Sequence, residues 1–411
     1  MKHLSTDPYK GTRDFFPEDM AVQRYIFDTW TKTVESFGFE RYDASVLEPS
    51  DLYRSKGAQN EEMVNDQTYT FTDRGGREVT LRPEMTPTVA RMIASKHKAL
   101  SFPVRWYAIP NLFRYEKMQR GRLREFWQLN CDIFGSSHIA SDVEIIALAH
   151  RLFIDFGANE KMFSIHINSR SLMHAQISKV LMSDDLFPTF LNLMDKKSKI
   201  DEATFTSEMK KICKNGVIPT ISSDTYIENI LQSLMHMGIT NVHFDPTITR
   251  GFNYYTGLVF EVFDTSSENN RSMCGGGRFD NLTTLFSDDA ISGVGFGVGD
   301  VIMRDFLQTH KLLPARYTET APSIAILPMH DGLSLDAERI AHHFRSHHIS
   351  SIVDLSGRKL PKMIGAAQDR GITHILILGD DEHASQQYTV KNMVTKSEQS
   401  GTLSELITHL T

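Results

Sequence analysis

The chain has 411 residues, is 40% hydrophobic and 23% charged, and carries 44 Lys and Arg against 51 Asp and Glu for a formal net charge of −7. That composition belongs to an ordinary globular protein of roughly two or three domains, and its acidity excludes a protein that coats nucleic acid non-specifically while leaving room for a local basic groove. The three cysteines, Cys131, Cys213 and Cys274, have no CxxC spacing, which excludes a zinc cluster legible in sequence and argues against a disulfide framework. The polar opening lacks the apolar run of a signal peptide, and no stretch approaches the ~18 consecutive apolar residues of a membrane span. The expected location is the cytoplasm, with no membrane contact.

Val22, Tyr25, Ile26, Trp30, Val34 and Phe37 recur at spacings of three or four and predict a helix over 20–36, ended by Gly38. Phe39 to Leu47 reads as a strand that stops near Pro49. Residues 68–72 and 78–81 flank Asp73-Arg74-Gly75-Gly76, a hairpin with its turn written out. Further strands are predicted at 104–109, 112–115 and 125–134, the last two enclosing a charged loop, and helical spacing returns at 142–156. Strands in series with helices set apart predict an α+β domain on a mainly antiparallel sheet.

Residues 170–245 are rich in Lys, Asp, Ser and Met, with Leu181, Leu186, Phe190, Leu193 and Met194 at helical spacing, and read as a helical insertion. Strand patterning resumes at 242–244. Residues 314–322 read as a linker. Beyond them the alternation of strand 323–327, helix 335–347, strand 351–354, helix 360–370 and strand 374–378 predicts a small α/β domain with a partly parallel sheet. The expected division is 1–320 and 323–411.

Three stretches carry the chemistry. Arg250-Gly251-Phe252-Asn253-Tyr254-Tyr255-Thr256-Gly257 sets a cation, a Tyr pair and two glycines at the mouth of a strand, and Cys274-Gly275-Gly276-Gly277-Arg278 follows. Apolar walls with a few fixed polar groups suit a small-molecule pocket, although adjacent tyrosines also fit plain strand packing, one in and one out, and the glycines a turn. Phe113-Arg114-Tyr115-Glu116, a basic loop, and Gly121 to Asp132 form a hairpin whose arginines suit phosphate oxygens and whose Phe126 can stack on a base. The same hairpin fits a solvated surface laced with salt bridges. Leu81-Arg82-Pro83-Glu84-Met85-Thr86-Pro87 closes the earlier hairpin and also reads as a helix start, with Thr86 as cap and Pro87 at the first position. His342, His343, His347 and His348 share no ligand spacing with a carboxylate or cysteine and read as a solvated helix face; no metal site is evident in the side chains.

These elements resemble, in order and over nearly the whole chain, the class II histidyl-tRNA synthetases. The resemblance implies a class II catalytic domain with a helical insertion and a C-terminal anticodon-binding domain. It implies a ligase that activates histidine with ATP, accompanied by Mg2+ and no prosthetic group, to histidyl-adenylate and transfers it to tRNA(His). By the same resemblance Arg114 and Arg250 would flank the α-phosphate. Arg114, Glu116, Arg122, Phe126 and Arg304 would bind ATP. Glu84, Thr86, Gln128, Asp132, Tyr254 and Tyr255 would bind histidine, with Tyr255 the tyrosine expected in the pocket, and Gly275, Gly276 and Gly277 would let backbone approach the ligand. The segment around Gly38–Pro49 resembles the motif that builds a homodimer interface. Three positions depart from the family's pattern: Asp132 stands where Glu is usual, Asn253 where Asp is usual, and Ile302 where an arginine for the γ-phosphate is usual, with Arg304 two residues on. The alternative is a non-catalytic histidine-sensing relative of the kind that regulates ATP phosphoribosyltransferase.

Overall fold

The computed structural model describes residues 3–54, 67–117, 119–197, 200–214, 220–250, 254–269, 271–314 and 323–410. They fall into two compact units, 1–313 and 314–411. The segment read as a linker lies, from residue 315 to 322, outside the described residues.

The first unit contains β1 (Glu40–Arg41), β2 (Leu47–Pro49), β3 (Tyr69–Thr72), β4 (Glu78–Leu81), β5 (Val104–Ala108), β6 (Asn111–Phe113), β7 (Glu125–Phe134), β8 (Phe163–Ser169), β9 (Val242–Phe244), β10 (Leu258–Asp264), β11 (Ser272–Phe279) and β12 (Gly293–Gly299). Among the described residues nine of these form one sheet in the order β1-β5-β7-β12-β11-β10-β8-β9, with β6 beside β7. Its pairings are antiparallel except at the two edges, β1–β5 and β8–β9.

Helix α1 (Pro17–Ser36) begins three residues before the expected start, because proline is tolerated in a first helical turn whose N–H groups have no partner. Its Val22, Ile26, Trp30 and Val34 are buried, and Gly38 ends it at φ 77°, as a left-handed residue past a helix commonly does. The strand expected over 39–47 is broken. Its first part pairs with β5, while β2 joins β4 and β3 in a separate three-stranded sheet. The hairpin turn is as written in the sequence: the Asp73 carboxylate accepts from Gly75 N and Arg77 N, at 2.8 and 2.9 Å.

Helices α2 (Thr86–Lys96) and α3 (Ile139–Asp155) flank the sheets. Between β8 and β9 come α4 (Arg170–Ile177), α5 (Phe187–Lys196), α6 (Glu202–Ile212) and α7 (Thr225–His236). The first three of these share their own core, built on Met173, Ile177, Phe190, Phe205 and Met209. Helix α7 instead joins α3, where Tyr226 Oη donates to Asp142 at 3.0 Å. Helix α8 (Asp300–Thr309) follows β12 directly.

The second unit has a five-stranded sheet, β14-β13-β15-β16-β17, from β13 (Ile324–Pro328), β14 (Ser351–Val353), β15 (His374–Leu378), β16 (Tyr388–Asn392) and β17 (Glu398–Gly401). The first three strands are parallel and the last two antiparallel. Strand β13 is buried on both faces, Ile324 and Ile326 against Ala337 and Phe344, and Ala325 and Leu327 against Met363 and Ala367. Such two-sided burial is why it reads as a continuous apolar run. The antiparallel pair escapes sequence reading because β17, Glu-Gln-Ser-Gly, has no apolar alternation.

Candidate active site

The site is built on one face of the central sheet. Residues two apart on a strand share a face, so Gln128, Asn130 and Asp132 of β7 point the same way. Asp132 lies opposite Gly295, itself opposite Gly277, and Asn130 lies opposite Gly297, itself opposite Gly275. The glycines make room for side chains, and Gly275, Gly295 and Gly297 also line the cavity. A Cβ built on Gly295 would overlap Asp132 Oδ1, one on Gly297 the Gln128 amide, one on Gly275 the Arg250 guanidinium, and one on Gly277 the Tyr255 ring. The middle glycine, Gly276, points to the other face, where a Cβ would strike Gly295 O and Phe296. Of Gly275–Gly277, Gly275 lines the cavity beneath the Arg250 guanidinium, Gly277 lies under the Tyr255 ring and Leu258 O, and Gly276 permits close strand packing.

These side chains line a single tight cavity of ≈ 30 Å³ together with Glu84, Thr86, Arg114, Tyr254 and Phe279. Glu84 and Thr86 reach it from the β4–α2 connection. That connection is fixed by the buried Arg82, which donates to Asn111 O at 3.0 Å and Ala44 O at 2.8 Å. Thr86 is the first helical residue of α2 and does not cap it; Met85 holds the cap position without a side-chain bond. Both tyrosines line the cavity and both are buried, their rings 4.8 Å apart. The one-in, one-out alternation expected of a strand does not apply, because β10 begins only at Leu258. Asn130, which sequence reading passed over, belongs to the same lining; its signal was the alternation of Gln128, Asn130 and Asp132.

Two arginines from distant parts of the chain meet at this cavity. Arg114 donates from Nε to Pro83 O at 2.8 Å and lies 5.4 Å from the centre of the Phe126 ring. Arg250 takes a left-handed backbone, φ 58°, and pairs with Glu261 at 2.6 Å. Glu116 stands between Arg114, at 3.9 Å, and Arg122, at 3.0 Å. Glu116, Arg122 and Phe126 thus gather around Arg114 outside the cavity lining. Arg304 does not join them. It pairs with Asp19 of α1 at 3.1 Å, while Ile302 is the α8 side chain that faces Gly121 and Gly299. Two residues turn a helix by about 200°, which separates the two side chains. Gly251, Phe252 and Asn253 lie outside the described residues.

The electrostatics separate groups that are satisfied from groups that are not. Burial pushes the Glu84 carboxyl up to about 7, against the opposing pull of Arg114 and Tyr254. Burial alone pushes Asp132 up to about 8. Burial would lower the Arg250 guanidinium, but Glu261 outweighs it and holds the group above its ordinary value. Tyr254 Oη donates to Glu84 Oε2 at 3.3 Å. Glu84 Oε1 and Arg250 Nε are buried with no hydrogen-bond partner among the described residues. Unsatisfied buried polar atoms are expensive, and a site reserved for a ligand is where such atoms persist. Together the lining offers an acceptor for an ammonium, two guanidinium groups for an anion, and an amide and a carboxyl set on glycines for a small polar ring.

The histidyl-tRNA synthetase family model matches residues 11–212 and 214–299, and an anticodon binding domain model matches 323–411. A histidine–tRNA ligase of Leptospira biflexa is 39% identical, covering 98% of this chain and 97% of the relative. One of Thermoplasma volcanium is 35% identical over 99% of each. The crystal structure of apo histidyl-tRNA synthetase from S. aureus has the same fold, with a TM-score of 0.76 at 23% identity, covering 99% of this chain and 100% of that one. A Bacillus halodurans structure titled as an ATP phosphoribosyltransferase regulatory subunit/histidyl-tRNA synthetase superposes at a TM-score of 0.70 and 21% identity, over 89% of this chain and 97% of that one. The chain belongs to the histidyl-tRNA synthetase family.

Proposed function

We propose that the cavity is where this histidine–tRNA ligase activates histidine, and that its residues divide the work as follows. Glu84 takes the substrate's ammonium through the unpartnered Oε1, with Thr86 and Tyr254 beside it. Gln128 and Asp132 read the two ring nitrogens of the imidazole, and Tyr255 packs on it. A cavity of ≈ 30 Å³ holds a water or two, so the ring enters as the flexible Gln128 and Arg250 side chains over Gly297 and Gly275 give way. The substrate carboxylate attacks the α-phosphorus of ATP; pyrophosphate leaves; and the terminal ribose hydroxyl of tRNA(His) then attacks the activated carbonyl and releases AMP. Magnesium arrives with the phosphates as part of the ATP substrate. No side-chain nucleophile is required, and catalysis is positioning plus preorganised charge.

The observation that carries this reading is the convergence of Arg114 and Arg250 on one cavity that also holds a buried carboxylate with one oxygen unpartnered among the described residues. Glu116, Arg122 and Phe126 extend it outward as the adenine and phosphate end. The histidine-sensing alternative is not favoured, since relatives at 39% and 35% identity over nearly the full length are ligases. Histidine-dependent exchange of labelled pyrophosphate into ATP tests the reading. Arg250→Ala should lower exchange on the order of 10²–10³-fold, the usual loss when one preorganised charge-stabilising donor is removed, while the protein stays folded. Undiminished exchange would mean the residue is misassigned.

A homodimer fits the three-stranded sheet. Its outer face carries Leu47, Pro49, Tyr69, Phe71, Val79 and Leu81, whereas its inner face is polar, with Thr80 Oγ1 2.8 Å from both Ser50 Oγ and Thr70 Oγ1. Leu47 and Phe71 are 44% and 48% exposed. An apolar face turned outward is a surface for a second copy. The protein is assigned to the cytoplasm on the same reading; among the described residues no helix is long and apolar enough to cross a membrane.

A further inference from the structure

The segment that presents Arg250 is held by two residues, Asn168 at the end of β8 and Arg170 at the start of α4. Asn168 Nδ2 donates to Ile248 O at 3.0 Å, Arg170 Nε to Thr249 O at 3.2 Å, and Arg170 Nη2 to Arg250 O at 2.6 Å. Arg170 N donates to Gly257 O at 2.9 Å, closing the far end of the same loop. Asn168, Ser169 and Arg170 are all buried. No carboxylate pairs with Arg170 among the described residues. Its guanidinium is satisfied by carbonyls and lies 5.9 Å from the centre of the Tyr255 ring.

That arrangement is costly, because a buried cation without a counter-ion is disfavoured. Loop closure alone does not call for it, since neutral Asn168 performs the same task one carbonyl earlier. Two features at Arg250 do call for it. A non-glycine residue at φ 58° persists only where its surroundings over-determine it, and a planar fork that grips two successive carbonyls does so better than a single donor. The charge of Arg250 is also largely spent on Glu261, 2.6 Å away, so the cation behind it restores positive potential where phosphate charge would develop.

We infer that Arg170 is a positioning residue for the reaction: it holds the Arg250 backbone in the left-handed conformation that aims the guanidinium into the cavity, and it keeps that end of the cavity positive. The inference rests on the reading of Arg250 as the α-phosphate cation. It is tested in the full-length protein by pyrophosphate exchange with Arg170→Met, Arg170→Lys, Arg250→Ala and the Arg170→Met/Arg250→Ala double variant. Arg170→Met should lower kcat on the order of 100-fold, as a catalytic group displaced by about 1 Å does, with little change in KM for histidine. In the Arg250→Ala background the same substitution should cost much less than in the wild type, because its larger part acts through a group already absent and only the loss of positive potential remains. Arg170→Lys, which keeps the charge and loses the fork, should fall between wild type and Arg170→Met at an unchanged melting temperature.

If Arg250→Ala loses exchange while Arg170→Met keeps it, or the two losses multiply in the double variant, the inference alone is overturned. If Arg250→Ala keeps exchange, the reading of Arg250 falls first and the inference with it. Should Arg170→Met fail to fold, Arg170→Lys carries the test, and a wild-type kcat there overturns the proposal.

Discussion

The two ends of the site solve opposite problems. At the proposed amino-acid end, Glu84, Asp132, Tyr254 and Tyr255 are buried, Asp132 and Tyr255 lie over glycines, and the two carboxyls are pushed up by burial. At the proposed nucleotide end, the charges balance one another: Arg122 with Glu116, and Arg120 within 4.0 Å of both Glu268 and Asp305. A small ligand that must be told from other amino acids is met by groups that only it can satisfy. A triphosphate, strongly charged and partly solvated, can be met by side chains that exchange one partner for another. Substitutions at the buried end should therefore be severe and substrate-specific, and those at the outer end graded.

The largest effects should fall where the two ends join. Arg114→Ala, like Arg250→Ala, is expected to cost on the order of 10²–10³-fold in kcat for pyrophosphate exchange. Exchange at more than a tenth of the wild-type rate would mean the two cations do not share one task. Next should come Asp132→Asn. A hydrogen bond to a charged group is worth about 1.5–3 kcal/mol, so KM for histidine should rise on the order of 10–100-fold with kcat changed less. Titration calorimetry with histidine alone checks it, and unaltered affinity would remove Asp132 from the imidazole pocket.

What sequence disclosed follows the same division. Gln128, Asp132 and Glu84 are reached through the family resemblance, and the Tyr pair also through its place between glycines at the mouth of a strand; all of them line the cavity. Asn130 shares the strand face of Gln128 and Asp132, and strict alternation along β7 is what picks it out. Arg170 could not be read, since the Thr249 and Arg250 carbonyls it grips are backbone groups present in every residue. Arg304 is hard to read because helix phase decides where its side chain goes: two residues along α8 separate a side chain facing Gly121 from one facing α1. The broken strand at 39–47 failed for a related reason: its two parts join different sheets, a choice made by partners remote in sequence.

The proposed amino-acid end also predicts a pH dependence of known sign. Glu84 sits near 7 and Asp132 near 8 in the folded chain, above their ordinary values of 4.5 and 3.8. Between these limits the folded state binds more protons than the unfolded one, so stability falls as pH rises. The contribution is fully present below about pH 4 and is lost as pH climbs through about 7 to 8. The ligand-free protein should melt at progressively lower temperature across that window, and saturating histidine should recover part of the loss, because the bound ammonium and imidazole favour the ionised carboxylates. Histidine affinity should improve over the same range, by at most about tenfold per pH unit for each proton released. Asp132→Asn should flatten its upper part. A melting profile that rises from pH 6 to 8 without ligand would contradict the burial of these two groups as charged-state penalties.

The smallest effect should be at Arg304. Its pair with Asp19 is partly exposed, with side chains at 28% and 33%, and pairs of that kind contribute about 0–1 kcal/mol. Because the pair tethers α8 to α1 and not to the cavity, Arg304→Ala should leave KM for ATP within about twofold of wild type, a difference of roughly 0.4 kcal/mol at most on the usual conversion, and lower the melting temperature slightly. The alternative is explicit. If Arg304 swings to the γ-phosphate when ATP binds, the Asp19 partner is lost and KM for ATP rises in Arg304→Ala but falls in Asp19→Ala, which frees the arginine. Opposite shifts in those two variants would return Arg304 to the nucleotide end. Matching small losses of stability with KM unchanged would assign neutralisation of the phosphates to the arginines of the 114–122 hairpin, since Ile302, the α8 side chain beside Gly121, is apolar.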